Sequence, residues 1–191
     1  GFSTRFDADL DMRMHQKAKK SAYKVINGYS EKQLGDVLFM YGELRNVKAL
    51  AREIVASRKN EPIKTSFKLK EVLKSFLPKS KEHKILAQIF QAVRIEVNEE
   101  LEALKEFLLQ TENLLEKGGK LSVISYHSLE DRLVKRFIRT GLFSGEPEKD
   151  VFGNSEEPLQ KVGKLIVPTP QEIKLNNRAR SAKLRIATLK K

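Results

Sequence analysis

Ser125, Tyr126, His127, Ser128 and Asp131 crowd two hydroxyls, a phenol, an imidazole and a carboxylate into one short stretch of the chain. Groups of these types can accept, donate or hold a proton, and can position a polar substrate. Ser, His and Asp are also the residue types of a hydrolytic triad. That chemistry is excluded here, because no GxSxG elbow is present and residues this close on one turn cannot form the required relay. A plainer reading stands beside the chemical one: Ser128 as a helix cap and His127 as a satisfied core residue.

The surrounding elements decide where this cluster stands. Residues 121–125 form an apolar run with the length of a short strand, read as covered by helices on both faces. Ser128 is expected to cap a following helix from Leu129 to Arg139, with Asp131 at its third position. A strand end that meets a helix start is where open α/β sheets bind ligands, with free backbone NH groups at hand. Ser125, His127, Ser128 and Asp131 are therefore the candidate catalytic group, with Asp131 orienting Arg132 or His127.

Upstream the periodicity is helical. Ser30 and Gln33 form a capping box ahead of Leu34, Val37, Leu38 and Tyr41. A second helix runs through Val47, Leu50, Ala51, Ile54 and Val55. Thr65 and Ser66 cap a third, with Phe67, Val72, Leu73 and Phe76 expected to face inward and Pro78 to close it. Residues 17–92 thus read as an all-helical domain, preceded by a loop over 1–16. Asn98, Glu99 and Glu100 read as the start of another helix, which Gly118 and Gly119 end.

Residues 93–191 read as a second part with strands near 121–125, 163–167 and 181–188, a mobile loop over 141–162 and a short helix opened by Thr169 and Pro170. Alternating helices and strands are the pattern of a doubly wound α/β sheet, for which three strands are too few. The strand at 121–125 is accordingly expected to stand alone, its edge completed by strands from upstream of Gly1.

The composition narrows the partners. The 191 residues carry a formal net charge of +12, and residues 41–95 and 161–191 each hold +8. Such a balance points to a polyanion, most economically nucleic acid, although lysine-rich helix faces also serve solubility. There are no cysteines, which excludes disulfides, thiolate metal sites and cysteine nucleophiles and fits a reducing cytoplasm. The three histidines, His15, His83 and His127, lie far apart with no HxxxH spacing, so no zinc motif is present. No apolar run is long enough to cross a membrane.

Four stretches carry a resemblance: LSVISYHSLEDRLVKRF (121–137), FQAVRIEVNEEL (90–101), GFSTRFDADLDMRM (1–14) and NNRARSAKLRIA (176–187). In this order they closely resemble the bacterial small-subunit ribosomal RNA (cytosine-N4)-methyltransferase family. Asp9, His15 and Leu44 depart from the family pattern, which bears on loop details. The resemblance implies the C-terminal part of a class I, Rossmann-like methyltransferase sheet with an inserted all-helical domain. It implies S-adenosylmethionine as methyl donor and small-subunit ribosomal RNA as substrate, with the main cofactor motifs upstream of Gly1.

An RNA substrate makes Arg132, Lys135, Arg178, Arg180, Lys183 and Arg185 the candidate phosphate contacts. Lys183 and Arg185 share a strand face, which favours a common partner. Asp11 and Arg13 form a further candidate group near the target base, or a structural ion pair that fixes their loop. No membrane partner is expected, and the oligomeric state, a homodimer included, stays open. The competing readings are a non-catalytic basic RNA-binding module and a purely structural helical scaffold.

Overall fold

The computed structural model describes residues 6–148, 150–152 and 157–190. The chain divides into two compact units, Gly1–Glu100 and Leu101–Lys191.

The first unit is helical: α1 (Ala22–Gly28), α2 (Glu31–Met40), α3 (Val47–Asn60), α4 (Ser66–Val72) and α5 (Glu82–Asn98). The capping box at Ser30 and Gln33 is present in both directions, so two of the amide donors that open α2 are satisfied. Leu34, Val37 and Leu38 of α2, Leu50 and Ile54 of α3, and Leu86, Ile89 and Val93 of α5 are all buried in one core. Gly42, just past α2, sits where a Cβ would come within 2.6 Å of the Leu38 carbonyl oxygen and 3.1 Å of that of Gln88. Only glycine allows the chain to pass α5 this closely.

The inward face of α4 differs from the expected one. Leu69 and Leu73 are fully buried and Phe67 is 46% exposed. Thr65 is the N-cap, which turns Phe67 outward and Leu69 to the core. Asn98 does not start a helix; it ends α5, and Glu99 follows in the left-handed region with φ 52°. The amide of Asn98 instead donates to the carbonyls of Met12 and Arg94 and accepts from the Met14 N–H at 2.7 Å.

In the second unit, α6 (Glu100–Leu114, whose first residue closes the other unit), α7 (Ser128–Thr140) and α8 (Pro170–Leu175) accompany β1 (Lys120–Ser125), β2 (Leu159–Ile166) and β3 (Lys183–Leu189). The sheet order is β1-β3-β2, and both pairs are antiparallel. It follows that β1 and β2 run parallel without touching. This corrects the expectation of a lone strand at 121–125: β1 is paired along its whole length, Lys120 with Thr188 through Ser125 with Lys183.

By this register Leu121, Ala187, Leu189 and Leu159 share one face, where they cluster with Val134, Phe137 and Ile138 of α7 and Leu108 of α6. The opposite face carries Ser122, Ile124 and Val162, with Ile124 56% exposed. Covering helices on both faces of β1 were expected; α6 and α7 cover only one within this unit. β2 also begins earlier than the strand read at 163–167. Gly163, at φ 65°, lies inside it, in a break of register where residues 163–165 stand opposite Arg185 alone. A left-handed residue at a bulge favours glycine.

Candidate functional site

β1 ends at Ser125, and the chain turns through Tyr126 into α7. The N-cap of α7 is His127 rather than Ser128, and the reciprocal acid is Glu130 rather than Asp131. His127 Nδ1 accepts from the Glu130 N–H at 3.4 Å, while Glu130 Oε2 accepts from the Tyr126 N–H at 2.8 Å and the His127 N–H at 3.3 Å. The helix start needs an acceptor and imidazole supplies it, so that ring nitrogen is engaged in holding the corner. Ser125 is 2% exposed, and its Oγ finds no hydrogen-bond partner among the described residues. Buried hydroxyls are seldom left so.

Asp131, facing the sheet from α7, accepts from Arg185 Nε at 2.7 Å, Arg185 NH2 at 3.1 Å and Lys183 Nζ at 3.2 Å. The expectation that Asp131 orients Arg132 or His127 is thereby corrected. Its first helical turn faces β3, and both carboxylate oxygens are taken by the strand's two cations. Burial pushes the Asp131 carboxyl up, but hydrogen bonds and charge from Arg185 and Lys183 outweigh it and hold the carboxyl below its ordinary 3.8. The common partner inferred for Lys183 and Arg185 is therefore this carboxylate, and the Arg185 side chain is only 12% exposed.

Asp11 and Arg13 face each other in a two-pronged pair, Nε to Oδ1 at 2.5 Å and NH2 to Oδ2 at 3.0 Å. Arg13 also donates to the carbonyls of Gln16 and Ala18. The pair lowers the Asp11 carboxyl through the Arg13 hydrogen bond. Its visible work is to fold the loop on itself between buried Leu10 and Met12 and the start of α1.

Arg132, Lys135 and Arg139 occupy the exposed face of α7, opposite the buried Asp131, Val134 and Ile138. Arg178 and Arg180 are exposed on either side of buried Ala179, in the 3₁₀ turn Asn177–Ser181. The structure thus unites Ser125, His127 and Ser128 at one corner. It ties Asp131, Lys183 and Arg185 together beside that corner and places Lys135 elsewhere, on a cavity between α7 and the bulged β2. Arg139, Lys161 and Lys164 share that cavity and were not foreseen. The signal was present in the i, i+4 spacing of Lys135 and Arg139, but Lys161 lay in a stretch read as loop.

Among the described residues no glycine-rich turn leads from a strand into a helix. The turn after β1 carries Tyr126 and His127, and its acid, Glu130, closes the cap. These residues do not by themselves build a cradle for an adenosyl cofactor. No helix among the described residues is long and apolar enough to cross a membrane.

A helical unit followed by a basic α/β unit, with polar groups gathered where β1 meets α7, defines an α/β protein. The family model for the MraW methylase family matches residues 1–190, and the chain belongs to that family. It is 65% identical over 187 residues to "Ribosomal RNA small subunit methyltransferase H" of Christiangramia forsetii, covering 98% of this chain and 62% of that protein. Proteins of the same name from Flavobacterium johnsoniae (63% over 187 residues, 98% and 62% covered) and Flavobacterium psychrophilum (60% over 190 residues, 100% and 65% covered) are also similar to it. The chain therefore spans somewhat under two thirds of the length of these curated relatives.

Proposed function

We propose that this chain serves S-adenosylmethionine-dependent N4-methylation of a cytidine in small-subunit ribosomal RNA, in the cytoplasm. The observation that carries the reading is the family match over residues 1–190, together with relatives whose name is that of a ribosomal RNA methyltransferase. The finer architecture we assign is the C-terminal part of a class I methyltransferase core with an inserted helical domain. A helical unit that precedes the sheet-bearing unit supports it.

The exocyclic amine of cytosine is a poor nucleophile, because its lone pair is delocalised into the ring. The protein's part is to hold an unstacked base in line and to accept from its N–H groups, which makes positioning and electrostatics the main contributions. S-adenosylmethionine supplies the methyl group when bound. Ser125, buried at the carboxyl end of β1 with an unmatched hydroxyl, is the group we set against the reacting nucleotide. Ser128 stands beside it in the first turn of α7. His127 and Glu130 fix the backbone of the corner, and Asp131 sets Lys183 and Arg185 along the sheet. Asp11 and Arg13 order their own loop, a second candidate group for the RNA.

The test is transfer of labelled methyl from S-adenosylmethionine to small-subunit ribosomal RNA by the protein, with N4-methylcytidine identified after digestion. A second reading, a non-catalytic RNA-binding module, is favoured for the described residues taken alone by their want of an adenosyl cradle. Titration of the 191-residue chain with S-adenosylmethionine separates the two: saturable binding favours the enzyme, RNA affinity without it the module.

A further inference from the structure

The register break in β2 opens a cavity of about 420 Å³ between that strand and α7. No acidic side chain lines it, and six cations do. Two of the six are engaged: Arg185 by Asp131 and Lys190 by Glu157 at 3.1 Å. The side chains of Lys135, Arg139, Lys161 and Lys164 form no ion pair or hydrogen bond with any described residue. Ile138 and Leu165 contribute to an apolar floor beneath them. What sets these four apart is their convergence on one hollow that no acidic side chain lines.

Lysines on an edge strand also discourage edge-to-edge pairing, which would account for Lys161 and Lys164. That reading does not explain why α7 turns Lys135 and Arg139 toward the same space, nor why the strand breaks register there. Bulges re-aim side chains, and this one lies in the carboxyl half of β2. Because β1 and β2 run parallel, the bulge faces the same end of the sheet as Ser125, two strand spacings or roughly 10 Å across.

We infer that the α7–β2 bulge cavity is an RNA-docking site, in which Lys135, Arg139, Lys161 and Lys164 hold the phosphates of a nucleotide flanking the one that reacts. The apolar floor receives part of that nucleotide's base or sugar, and phosphate contacts fix the register of the strand without reading its sequence. This rests on the proposed ribosomal RNA methylation.

The test compares K135Q/R139Q/K161Q/K164Q with a control, K48Q/K59Q/K79Q/K84Q, whose four exposed lysines lie in the helical unit. A fluorescent small-subunit ribosomal RNA fragment is titrated at a series of KCl concentrations, with thermal unfolding of each variant as the check on folding. Loss of four phosphate contacts is expected to reduce the slope of log affinity against log salt by about 3, at roughly 0.7 per contact on single-stranded RNA, and the control to change it by less than 1. Methyl transfer at low salt and saturating RNA is expected to persist in the control. A wild-type slope in the cavity variant, or an equal fall in both variants, overturns the site and leaves the methylation reading standing. Absence of N4-methylcytidine from a wild type that shows the slope difference counts against the methylation reading and leaves the site. Weakened binding to anionic vesicles with RNA affinity unchanged assigns the cavity to a lipid surface and overturns the inference.

Discussion

Asp131 ties α7 to β3 beside the corner. Its carboxylate is buried against two cations, so Asp131→Asn leaves Arg185 largely buried beside a neutral amide. The expected cost is roughly 3 kcal/mol, measured by urea unfolding at pH 7. Its pKa is depressed in the folded protein, so this contribution is present above the unfolded value near 3.8 and fades as pH falls through the lower folded value. The stability gap between wild type and variant should therefore narrow on acidification; a gap that stays constant would mean the carboxylate is not what holds the strand. His127 makes a separate prediction. If its role is the cap, His127→Asn keeps stability within a few tenths of a kcal/mol while His127→Ala loses about 1 kcal/mol. Methyl transfer that survives in His127→Asn assigns the imidazole to structure, and its loss there with full stability assigns it to chemistry.

Elements that declare themselves by short-range chemistry were legible in the sequence. The capping box of α2, the Thr65 cap of α4 and the Thr169 cap of α8 need only neighbours within three residues, and all are formed. What could not be read depends on partners far along the chain. Asp131 is 54 positions from Arg185, so its loyalty to β3 rather than to its own helix has no local signature. The pairing of β1 with β3 is likewise non-local, and the early start of β2 was obscured because a strand with Gly163 and alternate lysines resembles a polar loop. At the candidate site the corner itself was foreseen, while the cap was misplaced by one residue because Ser is the commoner N-cap and histidine an unusual one.

Two further expectations belong to this scale. Gly42→Ala should destabilise the helical unit by about 1–3 kcal/mol in thermal unfolding, since its methyl meets backbone oxygen atoms that cannot yield easily. Tyr29 donates to Glu96 at 2.5 Å, and Lys20 joins Glu96 and Glu99, which ties the segment before α1 to α5. Burial and Glu96 push the Tyr29 phenol up to about 12. For Lys20 burial works downward, but Glu99 and Glu96 raise the amine to about 12. Both raised values contribute stability in full below about pH 10, lost as pH climbs toward 12. Tyr29→Phe should flatten that alkaline decline in a pH series of unfolding midpoints.

At the scale of the whole molecule, charge and chemistry are distributed differently. The +12 net charge gives a general attraction to polyanions, and the bulge cavity gathers six cations with no acidic side chain in its lining, while Lys183 and Arg185 are drawn to Asp131. RNA would then be held at the outer edge of the sheet and its target base presented near Ser125. Nucleoside mass analysis of small-subunit ribosomal RNA incubated with the protein and S-adenosylmethionine tests this most directly. The expected product is N4-methylcytidine, reduced at least tenfold in Ser125→Ala with folding intact. Methyl groups found on a ring carbon or the ribose, or none transferred while both RNA and donor bind, would contradict it.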